Sequence, residues 1–144
     1  MNIKNRKITS CANRSHGAAA VEAAICLPLI ILLMLGTLEV CAGFYLKESL
    51  TVAAYEGART GVKRRATESD VEDEVRAILA ARDVTLDNGG SITIVPSNFS
   101  SLQALDPITV RVTARTTGNS VVIFDSLVNR EVSAQVVMLR EFNE

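Results

Sequence analysis

The sequence predicts an α+β fold in which a long N-terminal transmembrane helix extends into a small domain with a second helix and an antiparallel sheet of about three strands. Three observations predict it: an apolar run near the N-terminus, a later stretch with helical periodicity, and three stretches of alternating apolar and polar residues. The 144 residues leave room for about one domain. We divide the chain into a leader (1–17), a long helix (18–66) and a head (67–144).

The leader is basic and shows no hydrophobic periodicity. It contains four of the 15 basic residues and none of the 16 acidic residues, so the rest of the chain carries 11 basic and 16 acidic side chains. An acidic remainder argues against nucleic-acid binding, which requires a basic surface facing the phosphates. Basic residues beside a hydrophobic run indicate instead that the N-terminus is cytoplasmic.

A hydrophobic run occupies residues 18–46, and its uncharged part extends from residue 23 to residue 38. At the helical rise of 1.5 Å per residue, residues 18–38 reach about 32 Å, which matches the roughly 30 Å hydrocarbon thickness of a bilayer. Pro28 removes one backbone donor within the run, so we expect the helix to bend there. The sequence therefore predicts a single membrane span followed by an extracytoplasmic head.

The helix is predicted to continue past the membrane, because residues 47–66 contain no proline and repeat small and apolar residues at spacings of three and four. The whole helix should measure about 45 residues, near 70 Å. Gly57 and Gly61 form a GxxxG pattern, which permits close packing either on the protein's own sheet or on another subunit. Ala19 and Ala23 form a small-residue pair in the membrane, which indicates helix association there.

The head is predicted to contain one helix and three strands. A capping box from Ser69 to Glu72 should start the helix, which carries one apolar face and should end near Arg82. Alternation predicts strands at residues 91–95, 108–114 and 132–138. Residues 121–127 fit either a short helix, which we favour, or an additional strand.

No catalytic, cofactor-binding or metal site is predicted, so we expect no enzyme. His16 is the sole histidine and lies in the leader, so a Ser/His/Asp or Cys/His arrangement cannot form in the head. The three cysteines all precede residue 42, which provides neither a disulfide framework for the head nor zinc-ligand spacing. The acidic residues at 68–74 suit a helix N-terminus and lack the spacing of a calcium loop.

Short motifs in residues 16–61 carry a family resemblance. In chain order they read His16-Gly17-Ala18-Ala19-Ala20-Val21-Glu22, Leu27-Pro28, Gly36-Thr37-Leu38-Glu39 and Ala53-Ala54-Tyr55-Glu56-Gly57-Ala58-Arg59. Together with a closing strand that ends Met138-Leu139-Arg140-Glu141, they resemble the TadE-like pseudopilins of tight-adherence (Flp) pilus systems. The resemblance implies a pilin-like fold in the bacterial inner membrane or in a pilus, and an accessory or minor role in pilus assembly or secretion.

The resemblance also implies processing and partners. A prepilin peptidase would cleave after Gly17, which leaves Ala18 as the mature N-terminus and Glu22 as the fifth mature residue. A carboxylate near the bilayer centre costs about 2.5–3.5 kcal/mol, and the free amine of Ala18 would be its partner; alternatively, Glu22 lies close enough to the membrane edge to reach water. The implied partners are the membrane, other pilin-like subunits or pilus assembly proteins, and the peptidase.

Two other classes of protein fit parts of the sequence. A secreted soluble protein would lose its first 42 residues as a signal peptide, because Val40-Cys41-Ala42 has the small residues of a cleavage site. However, the motif continues past Ala42, and the apolar run is longer than a signal-peptide core. A membrane-bound enzyme is the third class. The mature N-terminus separates the first two readings, since Ala18 or an uncut chain indicates an anchor and Gly43 indicates secretion.

Overall fold

A computed structural model describes residues 12–86, 89–99, 102–120 and 129–140, with side chains from residue 17 onward. The elements are α1 (Ala12–Gly61), α2 (Glu68–Ala81), β1 (Ser91–Val95), β2 (Pro107–Arg115) and β3 (Glu131–Leu139). The predicted α+β fold is confirmed, with a long apolar N-terminal helix, a second helix and a three-stranded antiparallel sheet. The helix or strand expected at residues 121–127 lies outside the described residues.

The chain divides into two compact units: the first ends at Thr37, and the second begins at Leu38. α1 is the one described element of the first unit. Among the described residues, it is also the one helix long and apolar enough to cross a membrane, and none of its most apolar 18 residues is buried in the protein. A core helix of a soluble protein would be largely buried, so the exposure of this segment favours a lipid environment.

The bounds of α1 differ from the predicted ones at both ends. The helix begins at Ala12, six residues before the expected start, and runs through Pro28 to Gly61, five residues before the expected end. Hydrophobic periodicity could not reveal the early start, because residues 12–17 contain no run of apolar residues at helical spacing. The chain then turns, and Arg65 adopts a positive φ of 61°, which is incompatible with a continuing right-handed helix.

The sheet has the strand order β1-β2-β3, and both pairs are antiparallel. All three predicted strands are confirmed. Ile94, Val110 and Val136 lie side by side across the sheet on the face that packs on the core. The alternation in the sequence therefore predicted correctly which residues face the core. Apolar residues lie on the inner face of the sheet, and polar residues lie mostly on the outer face.

The core of the second unit is built from α1, α2 and the inner face of the sheet. Tyr45 donates from its hydroxyl to the Arg82 carbonyl at 3.0 Å, and Lys47 donates from Nζ to the Ser133 carbonyl, so polar contacts on α1 reach both α2 and β3. The fully buried side chains of the core are Leu50, Ala53, Ala54, Ala58, Val71, Val75, Ile108, Val110, Val112 and Ala114.

The capping box of α2 was predicted at the wrong residues. The N-cap is Thr67 and not Ser69: the Asp70 amide donates to Thr67 Oγ1 at 3.2 Å, and the Thr67 amide donates to Asp70 Oδ2 at 2.9 Å. Thr67 has the extended backbone that a cap requires, with φ −110° and ψ 163°. Ser69 lies within the first helical turn, where it cannot cap. The predicted apolar face and the end at Arg82 are confirmed.

Acid should weaken this cap. Hydrogen bonds from the hydroxyl and then the amide of Thr67 hold the pKa of Asp70 below its ordinary value of 3.8. Because the pKa is lower in the folded state, the carboxylate stabilises the fold above about pH 3.8, and this contribution is lost as the pH falls through the folded-state pKa. Asp70→Asn should therefore lower the free energy of unfolding at pH 7 and leave it nearly unchanged at pH 2, as measured by denaturant titration.

The matched control for this experiment is Asp73→Asn, which alters an exposed acid three residues further along α2. It should keep the pH dependence of the wild-type protein. An Asp70→Asn protein whose stability follows the wild-type pH profile would contradict the proposed role of this carboxylate.

Arg140, which follows β3 directly, is hydrogen-bonded to the segment that connects β1 and β2. Its side chain is only 2% exposed and donates from Nη1 to the carbonyls of Phe99 at 3.0 Å and Leu102 at 3.5 Å. Its backbone amide donates to the Asp106 carbonyl, and its carbonyl accepts from the Leu105 amide. The guanidinium therefore supplies donors to buried carbonyls that the strands leave unpaired.

Arg140→Met should lower the free energy of unfolding by about 1–3 kcal/mol, because the change keeps most of the volume but removes the donors to Phe99 and Leu102. Thermal or denaturant unfolding followed by circular dichroism measures this loss. Arg111→Met is the control: that arginine is exposed and donates to Gln135 on the outer face of the sheet, so it should cost less than about 0.5 kcal/mol. Equal losses for the two variants would refute the assignment.

Candidate functional site

The proposed processing motif lies on a continuous helical stretch. Gly17, Ala18 and Glu22 are all within α1 and all exposed. Ala18 and Glu22 are four residues apart, so they lie on one face of the helix, about one turn from each other. Cleavage after Gly17 would leave the Ala18 nitrogen as a cationic amine at the positive end of the helix dipole. Such cleavage would place a cation and an anion one helical turn apart on one face of α1.

The small residues of the span face outward. Ala19 and Ala23 are exposed on the same side of α1, as the helical repeat requires. At Gly36, an added Cβ would meet nothing within 4 Å. Pro28 has no N–H, so it cannot donate to the carbonyl four residues earlier, at Ala24. The first unit therefore presents close-approach positions and an unpaired helix carbonyl to its surroundings.

Gly57 and Gly61 serve packing within the chain. A Cβ at Gly57 would lie 2.5 Å from Val75 Cγ2, and one at Gly61 would lie 3.3 Å from Val71 Cγ2 and 3.4 Å from Ile108 Cγ2. Both glycines are buried. The sequence allowed the GxxxG pattern to pack either on the protein's own sheet or on another subunit. In the structure it packs on α2 and β2 of the same chain, so these two glycines are not available to another subunit.

Glu39 has a contact that sequence reasoning missed. Its position at the far end of the apolar run lets a carboxylate reach the membrane surface. In the structure Ser120 Oγ donates to it, at 2.8 Å from Oε2 and 3.1 Å from Oε1. Glu39 and Ser120 are 81 residues apart, and no local pattern could reveal their contact. Glu39 is half-buried. The first acid after the span is therefore a structural partner of the head.

The turn that carries Ser120 is itself fixed. Asn119 accepts at Oδ1 from the Thr85 amide at 2.9 Å, and its Nδ2 donates to the carbonyls of Thr85 at 3.0 Å and Arg115 at 2.9 Å. Gly118 supplies a positive φ of 86°, which the turn requires. The predicted turn at residues 117–119 is present, and it holds Ser120 against Glu39.

A double-mutant cycle on Glu39→Ala and Ser120→Ala should give a coupling free energy of about 1–2 kcal/mol, since the hydrogen bond involves a charged acceptor that is partly shielded from water. The measurement is the unfolding free energy of the detergent-solubilised protein. Glu48→Ala combined with Ser120→Ala serves as the control pair and should be additive. Additivity in the first pair would show that the contact contributes nothing measurable.

Within the part of the chain that the structure describes, no group of three or more His, Cys, Asp or Glu side chains could hold a metal ion. Cys26 and Cys41 are free and exposed. Cys11 lies outside the described residues.

Comparison with known proteins bears on the same helix. The family model of TadE-like proteins matches residues 17–59, a range that contains the processing motif, the candidate span and the first glycine of the GxxxG pattern. No curated protein and no solved structure gives a significant match to the chain. The match confirms the resemblance that the motifs indicated.

Proposed function

Because the family model of TadE-like proteins matches residues 17–59, we propose that the chain is a non-catalytic TadE-like pseudopilin, an accessory or minor component of tight-adherence (Flp) pilus assembly or secretion. The observation that carries the proposal is a helix whose most apolar 18 residues include none that is buried, which bears the family motif and continues into the core of a small α+β head. Such a helix needs lipid or partner helices around it, and a head of this size can meet other assembly components.

The proposed topology is a single span of the bacterial inner membrane. The basic leader favours a cytoplasmic N-terminus, so the acidic head faces the extracytoplasmic side. The uncharged residues 23–38 supply the lipid-facing part of the span.

Assembly in this proposal depends on helix contacts within the membrane. After cleavage behind Gly17 by a prepilin peptidase, the amine of Ala18 pairs with Glu22 of its own or a neighbouring helix and sets the axial register between pilin-like subunits. Ala19 and Ala23 allow the backbones to approach closely. The carbonyl of Ala24, left without a helix donor by Pro28, can accept a hydrogen bond from a neighbour.

Mass spectrometry of the mature protein from membranes, combined with identification of co-purifying proteins, tests the proposal. A chain that begins at Ala18, or an uncut chain, recovered with pilin-like or pilus assembly proteins supports it. A soluble chain that begins at Gly43 overturns it.

A secreted soluble protein is the second candidate, because the compact second unit begins at Leu38, close to the signal-like site at Ala42. One structural observation opposes this candidate. Cleavage after Ala42 would remove Glu39, which accepts the hydrogen bonds of Ser120, and would cut α1 only four residues before the buried Leu46. The same mass spectrum decides between the two functions.

A further inference from the structure

A cleft in the second unit opens where the uncharged run of α1 ends. It has a volume of about 520 Å³ and a lining that is more apolar than polar. One wall is formed by α1, and the opposite wall by the residues after α2 and the 118–120 turn. The side chains that the argument uses are Leu38, Cys41, Tyr45, Arg82 and Asp83.

The cleft has the height of a lipid headgroup layer. Leu38 is the last residue of the uncharged run, and Tyr45 lies seven residues further, about 10 Å along the helix axis. The polar layer of a bilayer adds roughly 5–8 Å to each side of the hydrocarbon. With the anchoring proposed above, the end of the cleft at Leu38 is level with the ends of the acyl chains, and the end at Tyr45 lies at the outer edge of the headgroup layer.

The charges at the upper end match a zwitterion. Arg82 lines the cleft with a side chain that is 30% exposed, and its Nη1 lies 3.9 Å from Glu48 Oε1, a contact too long for a hydrogen bond. Asp83, the next residue in the chain, also lines the cleft. A guanidinium can bind a phosphate through two N–H donors. The carboxylate of Asp83 suits a primary ammonium and disfavours a headgroup that carries negative charge alone.

We propose that this cleft binds one phospholipid with a phosphoethanolamine headgroup. The phosphate lies at Arg82, the ammonium lies at Asp83, and an acyl chain follows Leu38 and Cys41. The proposal rests on the membrane anchoring proposed above and adds a lipid specificity to it: the head takes up one lipid from the leaflet in which the span ends.

Native mass spectrometry of the full chain, with phosphatidylethanolamine, phosphatidylglycerol or phosphatidylcholine added separately, tests this proposal. Phosphatidylethanolamine should bind as a single molecule and about tenfold more tightly than either other lipid. Arg82→Gln should reduce that binding about tenfold. Arg76→Gln, which alters an arginine elsewhere on α2 that pairs with Glu72, should leave it unchanged.

Asp83→Asn provides a second, conservative variant. Asp83 has a positive φ of 55°, a conformation that asparagine tolerates, so the fold should survive. This variant should lose the preference for phosphatidylethanolamine over phosphatidylglycerol, while circular dichroism reports an unchanged fold.

Equal binding of the three lipids, absence of a bound lipid, unchanged phosphatidylethanolamine binding by Arg82→Gln, or a preference over phosphatidylglycerol that survives Asp83→Asn would each overturn the proposal. Fractionation of the same cells separates these results from a failure of the proposed function. A membrane-bound protein without lipid selectivity refutes only the lipid site, whereas a soluble protein that begins at Gly43 refutes the anchoring itself.

Discussion

Replacing Glu22 with alanine should remove the protein from its assembly complexes and leave its membrane insertion intact. The carboxylate is the one charged group between residues 18 and 38, and it is exposed on a helix with no described neighbour in its unit. Removing it makes insertion easier, by up to about 2.5–3.5 kcal/mol near the bilayer centre, but it eliminates the proposed partner of the Ala18 amine. We expect the amount of co-purifying pilin-like protein to fall at least about tenfold.

Cross-linking in membranes followed by affinity purification measures the association, and resistance to alkaline carbonate extraction measures insertion. Glu22→Asp keeps the charge and should retain most of the association. Glu48→Ala removes an exposed acid from the same helix beyond the span and should have no effect on either measurement. If the Glu22→Ala protein recovered as much partner protein as the wild type does, this glutamate would have no role in the association.

Substitution of Gly57 should cause the largest loss of stability in the head. An alanine Cβ at this position would lie 2.5 Å from Val75 Cγ2, a distance that forces the helices apart or moves the valine. We expect Gly57→Ala to destabilise the head by about 1–3 kcal/mol despite the higher helix propensity of alanine, and Gly57→Val to prevent folding. Denaturant unfolding measures the first effect, and loss of cooperative melting reports the second.

The same helix and a compensating change supply the controls. Gly43→Ala introduces a Cβ that meets nothing within 4 Å, so it should stabilise α1 by up to about 1 kcal/mol. Val75→Ala removes the methyl group that clashes, and in combination with Gly57→Ala it should cost less than the sum of the two single changes. Strict additivity would show that the close approach at Gly57 carries no strain.

The elements that local pattern determines were predictable from the sequence. The three strands follow from period-two alternation, because each strand has one face on the core. α2 follows from the spacing of Val71, Val75 and Leu79, which are its buried residues. The candidate membrane span follows from length and composition alone. Each of these elements depends on residues that are close together in the sequence, so its pattern can be recognised without knowledge of the fold.

The elements that depend on distant contacts were not predictable in the same way. Thr67 and Ser69 both begin an acceptable cap pattern, and the backbone conformation after Arg65 selects the first. The partner of the GxxxG pattern became clear only when α2 and β2 were in place. The contact of Glu39 with Ser120 joins two segments that share no pattern. Of the candidate site, the sequence thus revealed the motif on α1 and missed its connection to the head.

The continuity of α1 has a consequence for release of the head from cells. The last uncharged residue of the span, Leu38, and the first buried core residue, Leu46, are separated by helix only. Proteases cleave extended chain and act poorly on intact helix. Shedding the head would require unwinding of α1 between these two residues, and a cut beyond Leu46 would carry away part of the core. Pilus-associated membranes should therefore retain this protein whole under limited proteolysis.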